Sequence, residues 1–360
     1  MQIDLVLLIL SASLLLHACQ GGLFTRVLGR LRPGRSSNRR SIGESHFGLV
    51  NLGNTCYMNS VLQGLYFVRS FKEAVMAAAY TDGSVGRELQ TIFTNLALSK
   101  GKGRPVNTIG LSRSLGLNVN IQEDSHEFFL KLLNKLSDGL ESGMNPAVVF
   151  QGDLEQGLSF AAANFEKKKT QPFKDLSTSV DGQASLYNSL EDLFQTEEVE
   201  GFTVPGHGEQ TVEKSLRLQK APSALCIHLK RFEFSMDSLQ MMKVGQFFEF
   251  PLNLDLSEYC SSSSSEGKEV SQFQLSAVVI HDGTSNVGHY TCFARPVIKH
   301  GTQDKWIKLN DKFVSEVSIE EVCKDAFGGY ERQSGADFAS RNAYLLFYSR
   351  KTKEKKEVQG

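Results

Sequence analysis

The chain has 360 residues, 41% of them hydrophobic and 22% charged, enough to bury one large core or two modest ones. Its formal net charge of −1 gives no global attraction to nucleic acid or to an anionic membrane, so electrostatic recognition must come from local patches. The six cysteines (Cys19, Cys56, Cys226, Cys260, Cys292, Cys323) include no CxxC pair, which argues against a disulfide scaffold and a structural zinc site and fits a reducing compartment.

Leu5 to Leu16 is apolar apart from Ser11 and Ser13, and Phe24 to Ser41 then carries six arginines and no acid. The apolar run falls short of the ~20 residues of a typical span, though Ala18 to Phe24 can extend it. Asp4, with no Lys or Arg before the run, is the wrong flank for a secretory signal. The expectation is a signal-anchor within residues 1–45, with the arginine-rich side and everything after it facing the cytosol at an organelle or endoplasmic reticulum membrane. The alternative is a cleaved leader that targets the protein into an organelle.

From Asn51 to Gln63 a polar, glycine-bearing turn runs into a helix whose apolar residues Met58, Val61, Leu62 and Leu65 recur at i, i+3, i+4 and i+7. Asn54 or Thr55 is placed to cap it. Cys56 then falls in the first turn, where unpaired backbone N–H groups and the positive end of the helix dipole favour a thiolate. Taken alone, the same residue fits a small buried thiol with no chemistry.

Ser70-Phe71-Lys72-Glu73 reads as a capping box opening a helix through Ala79. Val85, Leu89, Ile92, Phe93 and Leu96 mark a second helix, closed by the loop from Lys100 to Pro105. Gln122 to Phe129 leads into a third, with Phe128, Phe129, Leu132, Leu133, Leu136 and Leu140 facing inward. The second half changes period. Ala224–Phe234, Phe273–Ile280, His289–Arg295, Lys305–Leu309 and Ala343–Tyr348 are rich in β-branched and aromatic residues and predict strands. Between the halves, Phe150 to Thr211 mixes polar and apolar residues and holds an acidic patch at Glu191, Asp192, Glu197, Glu198 and Glu200. Ser261 to Ser265 reads as a flexible loop and Lys351 to Lys356 as part of a charged tail over 350–360.

A cysteine hydrolase needs a base for the thiol proton, a group that orients the base and donors for the oxyanion. His289, beside Gly288 at the start of a strand, is a candidate base, and the glycine leaves room for a substrate backbone. Asn310 and Asp311 close another strand, and either can accept a hydrogen bond from His289 Nδ1. Asn51 can offer an amide to the oxyanion; removing such a donor costs ~2.7–4 kcal/mol elsewhere.

With these residues in view, the chain resembles the ubiquitin-specific proteases, papain-like cysteine deubiquitinases. The blocks that carry the resemblance are Gly48 through Gln63, Gln122 through Phe128, Leu225-Cys226-Ile227-His228-Leu229-Lys230-Arg231-Phe232, Phe250-Pro251-Leu252, Val278 through His281 with Gly288 through Thr291, and Asn342 through Tyr348. They follow the family order over about 300 residues. The resemblance implies an α+β papain-like fold over 46–349, with a helical thumb (about 46–142), β fingers (about 150–222) and a β-rich palm. It implies Cys56 as nucleophile, His289 as base, Asn310 as orienting residue where many relatives have aspartate, and Asn51 in the oxyanion hole.

The same resemblance makes Asp124 and Glu127 acidic contacts for the arginine-bearing tail of ubiquitin, although Asp124-x-x-Glu127 also reads as a helix start. It places His281 and Tyr290 along the tail channel. The zinc-binding CxxC pairs of most relatives are missing, and Gly206 through Gln210 with Glu213-Lys214 is similar to the zinc-free fingers of the herpesvirus-associated member, so that His207 is expected in a turn and tip rigidity to come from strand pairing alone. The implied activity is thiol-dependent hydrolysis of isopeptide, peptide or thioester bonds after the terminal glycine of ubiquitin. No cofactor or metal is expected. The partners are ubiquitin and ubiquitinated proteins, with no nucleic acid, and a monomer is expected. The alternatives are an inactive ubiquitin-binding scaffold and a protease for another ubiquitin-like modifier.

Overall fold

The computed structural model describes residues 47–98, 104–236, 239–261, 271–296, 305–334 and 337–351. The expected membrane segment, most of the serine loop and the charged tail lie outside these residues.

The first part is helical: α1 (Cys56–Phe67), α2 (Arg69–Ala77), α3 (Val85–Leu98), α4 (Ile109–Ser114) and α5 (Ser125–Lys135), with the short strands β1 (Ala79–Tyr80) and β2 (Leu140–Ser142) pairing across them. The expected stripe of α1 is buried, but so is its other face: every residue from Cys56 to Leu65 is covered, Asn59 and Gln63 included. This is a central helix, where the periodicity suggested a half-exposed one. Gly64 admits close packing, since a Cβ there would lie 3.2 Å from the Phe347 ring. Ser70 does not open α2. The helix starts at Arg69, its N-cap Val68 makes no side-chain cap bond, and Glu73 pairs with Arg69 at 2.7 Å. In α5, Phe128, Phe129, Leu132 and Leu133 are buried as expected, with Leu136 buried at the C-cap, whereas Leu140 belongs to β2.

The fingers are a four-stranded antiparallel sheet in the order β4-β3-β7-β6, formed by β3 (Gly152–Phe160), β4 (Phe165–Phe173), β6 (Glu197–Val204) and β7 (Gly208–Lys220). The sequence between them also folds into β5 (Leu176–Ser179) and a helix, α6 (Leu186–Phe194), capped by Ser185; Glu191 and Asp192 sit on this helix. The acidic patch is therefore divided between α6 and the edge strand β6. His207 lies in the turn between β6 and β7. Strand pairing is not the whole of the tip: Phe165 of edge strand β4 meets Phe202 of edge strand β6 with ring centroids 6.0 Å apart, and Phe160 of β3 meets His207 in the β6–β7 turn at 6.2 Å.

The palm is a nine-stranded sheet. Its main path is β15-β14-β13-β12-β17-β8-β5, with β11 (Asn253–Asp255) paired to β12 and β16 (Glu331–Ser334) to β17. The path strands are β8 (Ala224–Lys230), β12 (Gln272–Gly283), β13 (Gly288–Ala294), β14 (Trp306–Asn310), β15 (Phe313–Val317) and β17 (Asp337–Arg350). Among the described strand pairs of this sheet, only β5 with β8 is parallel. The expected strand Ala224–Phe234 breaks at Arg231, and β9 (Phe232–Ser235) leaves the sheet to form a separate ribbon with β10 (Gln240–Lys243).

Strand alternation builds two cores from the palm. Val279, Leu345 and Phe347 pack against the thumb helices, while Val278, Leu346 and Tyr348 pack with α6 and α7 (Ile319–Phe327) on the other face. Burial of each such side chain contributes ~1.5–3 kcal/mol. Helix α1 lies across the first of these faces, and that contact fixes where its N-terminus meets β13 and β14.

Candidate active site

Cys56 is the first residue of α1, 3% exposed. Neither expected capping side chain caps the helix: Thr55 Oγ1 accepts from Leu52 N at 3.0 Å, and Asn54 Nδ2 donates to Asn120 O at 2.6 Å. The N-terminal end of α1 is thus left to act on the sulfur.

His289 stands on β13 facing Cys56. Its Nε2 lies 2.7 Å from Asn310 Oδ1 at the end of β14. A carbonyl oxygen only accepts, so Nε2 carries the proton and Nδ1 is left for the cysteine. This reverses the expectation that Nδ1 would bond Asn310. Asn310, at the end of the strand paired with β13, thus takes the ring nitrogen that is not turned to the cysteine. Burial alone would push the Cys56 thiol up, but the hydrogen bond to His289, the Tyr290 backbone N–H, the charge on His289 and the Gln122 amide together hold it below its ordinary value. The bond to Cys56 pushes His289 up to about 9, against burial and aided by Asn310, by the thiolate charge and by Asp311. The pair therefore favours thiolate and imidazolium.

Gln122 is the residue that sequence reasoning passed over. Its Nε2 donates to Cys56 Sγ at 3.2 Å and to Gly288 O at 2.8 Å, which links thumb, nucleophile and the strand of His289 through one amide. Its signal in the sequence is its place at the head of the Gln122–Phe128 block, just before the acids Glu123, Asp124 and Glu127.

Asn51 is bonded away from the sulfur. Its Nδ2 donates to Asp311 Oδ2 at 2.9 Å, and its Oδ1 accepts from Gly53 N at 3.0 Å and Thr55 N at 3.2 Å. One Nδ2 hydrogen remains beyond the bond to Asp311. Asp311 itself proves to be a hub. Its Oδ1 accepts from Asn59 Nδ2 at 2.8 Å, while its main-chain oxygen accepts from Leu49 N at 2.9 Å and Gln63 Nε2 at 3.1 Å. It holds φ +50°, a left-handed conformation that Asp tolerates better than most residues. Gly48 passes so close that a Cβ there would fall 2.2 Å from Asp311 O. The buried polar face of α1 exists to make this tie between thumb and palm.

A groove of about 440 Å³ runs away from Cys56, lined by Gln122, Asp124, Glu127, His281, Tyr290 and Tyr344 among others. Asp124 caps α5: Oδ1 accepts from the N–H groups of His126 (2.8 Å) and Glu127 (3.0 Å), and Oδ2 from the hydroxyls of Tyr344 (2.7 Å) and Tyr290 (3.3 Å). The helix-start reading of Asp124 thus holds, and Tyr290 supports it. Glu127 is the exposed acid of the pair. His281 is 4% exposed and packs against Phe232 and Tyr290; burial, then the nearby Lys243 charge, push it down to about 3, so it is neutral. A Cβ on Gly288 would lie 2.1 Å from His281 Nε2, so the glycine beside His289 makes room for His281, a second reason for it beyond substrate access.

An activated thiol at a helix N-terminus, an imidazole oriented by an amide, and amide donors at the sulfur, held between a helical lobe and a β lobe with a β extension, define a papain-like cysteine hydrolase with thumb, palm and fingers. Residues 47–348 match the family model described as ubiquitin carboxyl-terminal hydrolase, and the chain belongs to that family. It is 31% identical over 330 residues to ubiquitin carboxyl-terminal hydrolase 15 of Schizosaccharomyces pombe, covering 86% of this chain and 28% of that protein. It is 29% identical over 320 residues to ubiquitin carboxyl-terminal hydrolase 7 of Drosophila melanogaster, covering 85% and 28%. The chain thus spans under a third of the length of these relatives. Among solved structures, a chain of the SAGA Ubp8/Sgf11/Sus1/Sgf73 DUB module bound to ubiquitin aldehyde aligns with TM-score 0.68 and 28% identity, over 88% of this chain and 72% of that one.

Proposed function

We propose that this domain is a thiol-dependent deubiquitinase that hydrolyses isopeptide, peptide or thioester bonds after the C-terminal glycine of ubiquitin through Cys56, His289 and Asn310. The observation that carries it is the sulfur of Cys56 paired with a raised, amide-oriented His289 at the mouth of the groove. The Cys56 thiolate attacks the glycyl carbonyl. The oxyanion meets the Cys56 backbone N–H, the Gln122 amide and the free Nδ2 hydrogen of Asn51. His289 gives its Nδ1 proton to the leaving amine, then takes a proton from water as the water attacks the thioester, and ubiquitin leaves with a free carboxylate while the Cys56–His289 pair is restored. Glu127 supplies the exposed negative charge for the arginine-bearing tail, and Asp124 holds the groove floor in shape.

The test is labelling with a ubiquitin bearing a C-terminal electrophile, compared with probes built on other ubiquitin-like modifiers. Covalent capture of ubiquitin that is lost in Cys56→Ser supports the reading. Labelling by another modifier alone, or binding without capture, refutes it.

We further propose anchorage through the apolar run Leu5–Leu16, with the catalytic domain on the cytosolic side. No described helix is long and apolar enough to cross a membrane, and the run lies outside the described residues. A full-length chain that resists carbonate extraction and is digested by protease added to intact organelles supports anchorage; protection from that protease overturns it.

A further inference from the structure

The β9–β10 ribbon stands apart from the nine-stranded sheet. Phe234 pairs with Met241 and Phe232 with Lys243, so these four side chains share one face. Phe232 and Met241 wall the groove, and the Phe232 ring stands 5.2 Å from His281 and 5.3 Å from Tyr344. A two-stranded ribbon has little stability of its own, so its position over the groove depends on what holds its base.

That base is held by a half-buried lysine. Lys243 Nζ donates to the main-chain oxygens of His281 at 3.0 Å, Gly283 at 3.2 Å and Ser340 at 2.6 Å. An ammonium has three donors and no acceptor, and here each faces a carbonyl. The acceptors belong to the paired ends of β12 and β17, where Gly283 opposes Ser340. Gly283 also opens the turn that delivers Gly288 and His289. One side chain thus fastens the groove wall to the strand end from which the candidate base is hung.

We infer that Lys243 is a positioning residue for substrate, holding the β9–β10 ribbon against the groove so that an extended peptide tail binds a preformed wall. The inference builds on the proposed deubiquitinase activity. Lys243→Met keeps most of the aliphatic stem and removes the donors. In the free protein, amide hydrogen exchange over residues 232–243 should quicken at least tenfold while α1 and β13 exchange as in the parent. With a fluorogenic ubiquitin C-terminal amide, KM should rise about tenfold and kcat stay within threefold. The affinity of the Cys56→Ala protein for ubiquitin should fall by the same factor on adding Lys243→Met, and the pH profile of Cys56 alkylation by iodoacetamide should not move.

Unchanged exchange in the ribbon, or a fall in kcat at constant KM, would overturn the inference. Should Lys243→Met lose its native near-UV spectrum, Lys243→Gln is put through the same comparison, with the same outcomes deciding. Quickened exchange together with a parent protein that ignores ubiquitin would leave the tether intact and sink the deubiquitinase reading instead.

Discussion

Replacing Asp311 by asparagine is the most informative single change in the site. Asparagine tolerates the left-handed backbone at this position, so the substitution isolates the carboxylate, whereas alanine would add ~1–2 kcal/mol of backbone strain. Asp311 accepts from Asn59 Nδ2 at 2.8 Å and from Asn51 Nδ2 at 2.9 Å. Hydrogen bonds to a charged acceptor contribute ~1.5–3 kcal/mol and neutral ones ~0.5–1.5 kcal/mol. The substituted amide would keep one oxygen, so one bond becomes neutral and the other sets an amide N–H against an amide N–H. The domain should lose ~2–4 kcal/mol in urea unfolding. Two groups in the site feel the change: Asn51 loses its anchor, and His289 loses one of the charges that push it up to about 9. We expect kcat/KM on a fluorogenic ubiquitin substrate to fall about 10–100-fold, which is ~1.4–2.7 kcal/mol of transition-state stabilisation. Loss of less than about 1 kcal/mol in unfolding, with kcat/KM within about twofold of the parent, would refute the reasoning, since a charge-assisted tie of this kind cannot be removed so cheaply.

Asn310→Ala should lower turnover less than Cys56→Ala, because the imidazole keeps the thiolate and Asp311 as electrostatic partners; equal abolition of activity in steady-state assays would contradict this. Gln122→Ala should lower kcat by about 100–1,000-fold, the range for one oxyanion donor, and slow Cys56 alkylation as well, because it also removes an N–H from the thiolate; an effect on KM alone would show that Gln122 only shapes the groove. In pH profiles, alkylation of Cys56 should begin below the usual thiol range and persist at high pH. Hydrolysis should fall as pH rises through about 9, where His289 loses the proton it gives to the leaving amine. The sign for stability follows: a His raised above its ordinary 6.5 contributes stability that is fully present below that value and lost as pH rises through about 9.

Cys56 and His289 stand out locally only as candidates, one at the junction of a turn and a helix, the other beside a glycine on a β-rich run; what the fold adds is their hydrogen-bonded pairing. Asn310 was legible only as one of two neighbouring candidates. Which ring nitrogen it takes was not, since that depends on how β14 stacks beyond β13. Asn59 and Gln63 fall off the apolar stripe of α1; periodicity sees their polarity, not the carboxylate of Asp311 some 250 residues later that makes burial of Asn59 tolerable. Helix α6 was hidden because nine residues with mixed character inside a region of strand pairing carry a weak signal, although Ser185 does cap it. Asp124 supported two readings from sequence. The geometry gives its four side-chain hydrogen bonds to the protein itself, so in the proposed function the tail contact is assigned to Glu127.

Strand β17 lies at the middle of the palm, paired on one side with β12 and on the other with β8, yet among the described strands it comes last in chain order. A ribosome synthesising this domain releases the nucleophile roughly 230 residues before the base and about 280 before the start of the strand that closes the sheet under both. Until that strand arrives, the core beneath α1 lacks Leu345 and Phe347, and the sheet that presents His289 to Cys56 lacks its central strand. Under the proposed function, activity is therefore a report on complete folding of the palm, and the pairing of Cys56 with His289 cannot be finished before the sheet is.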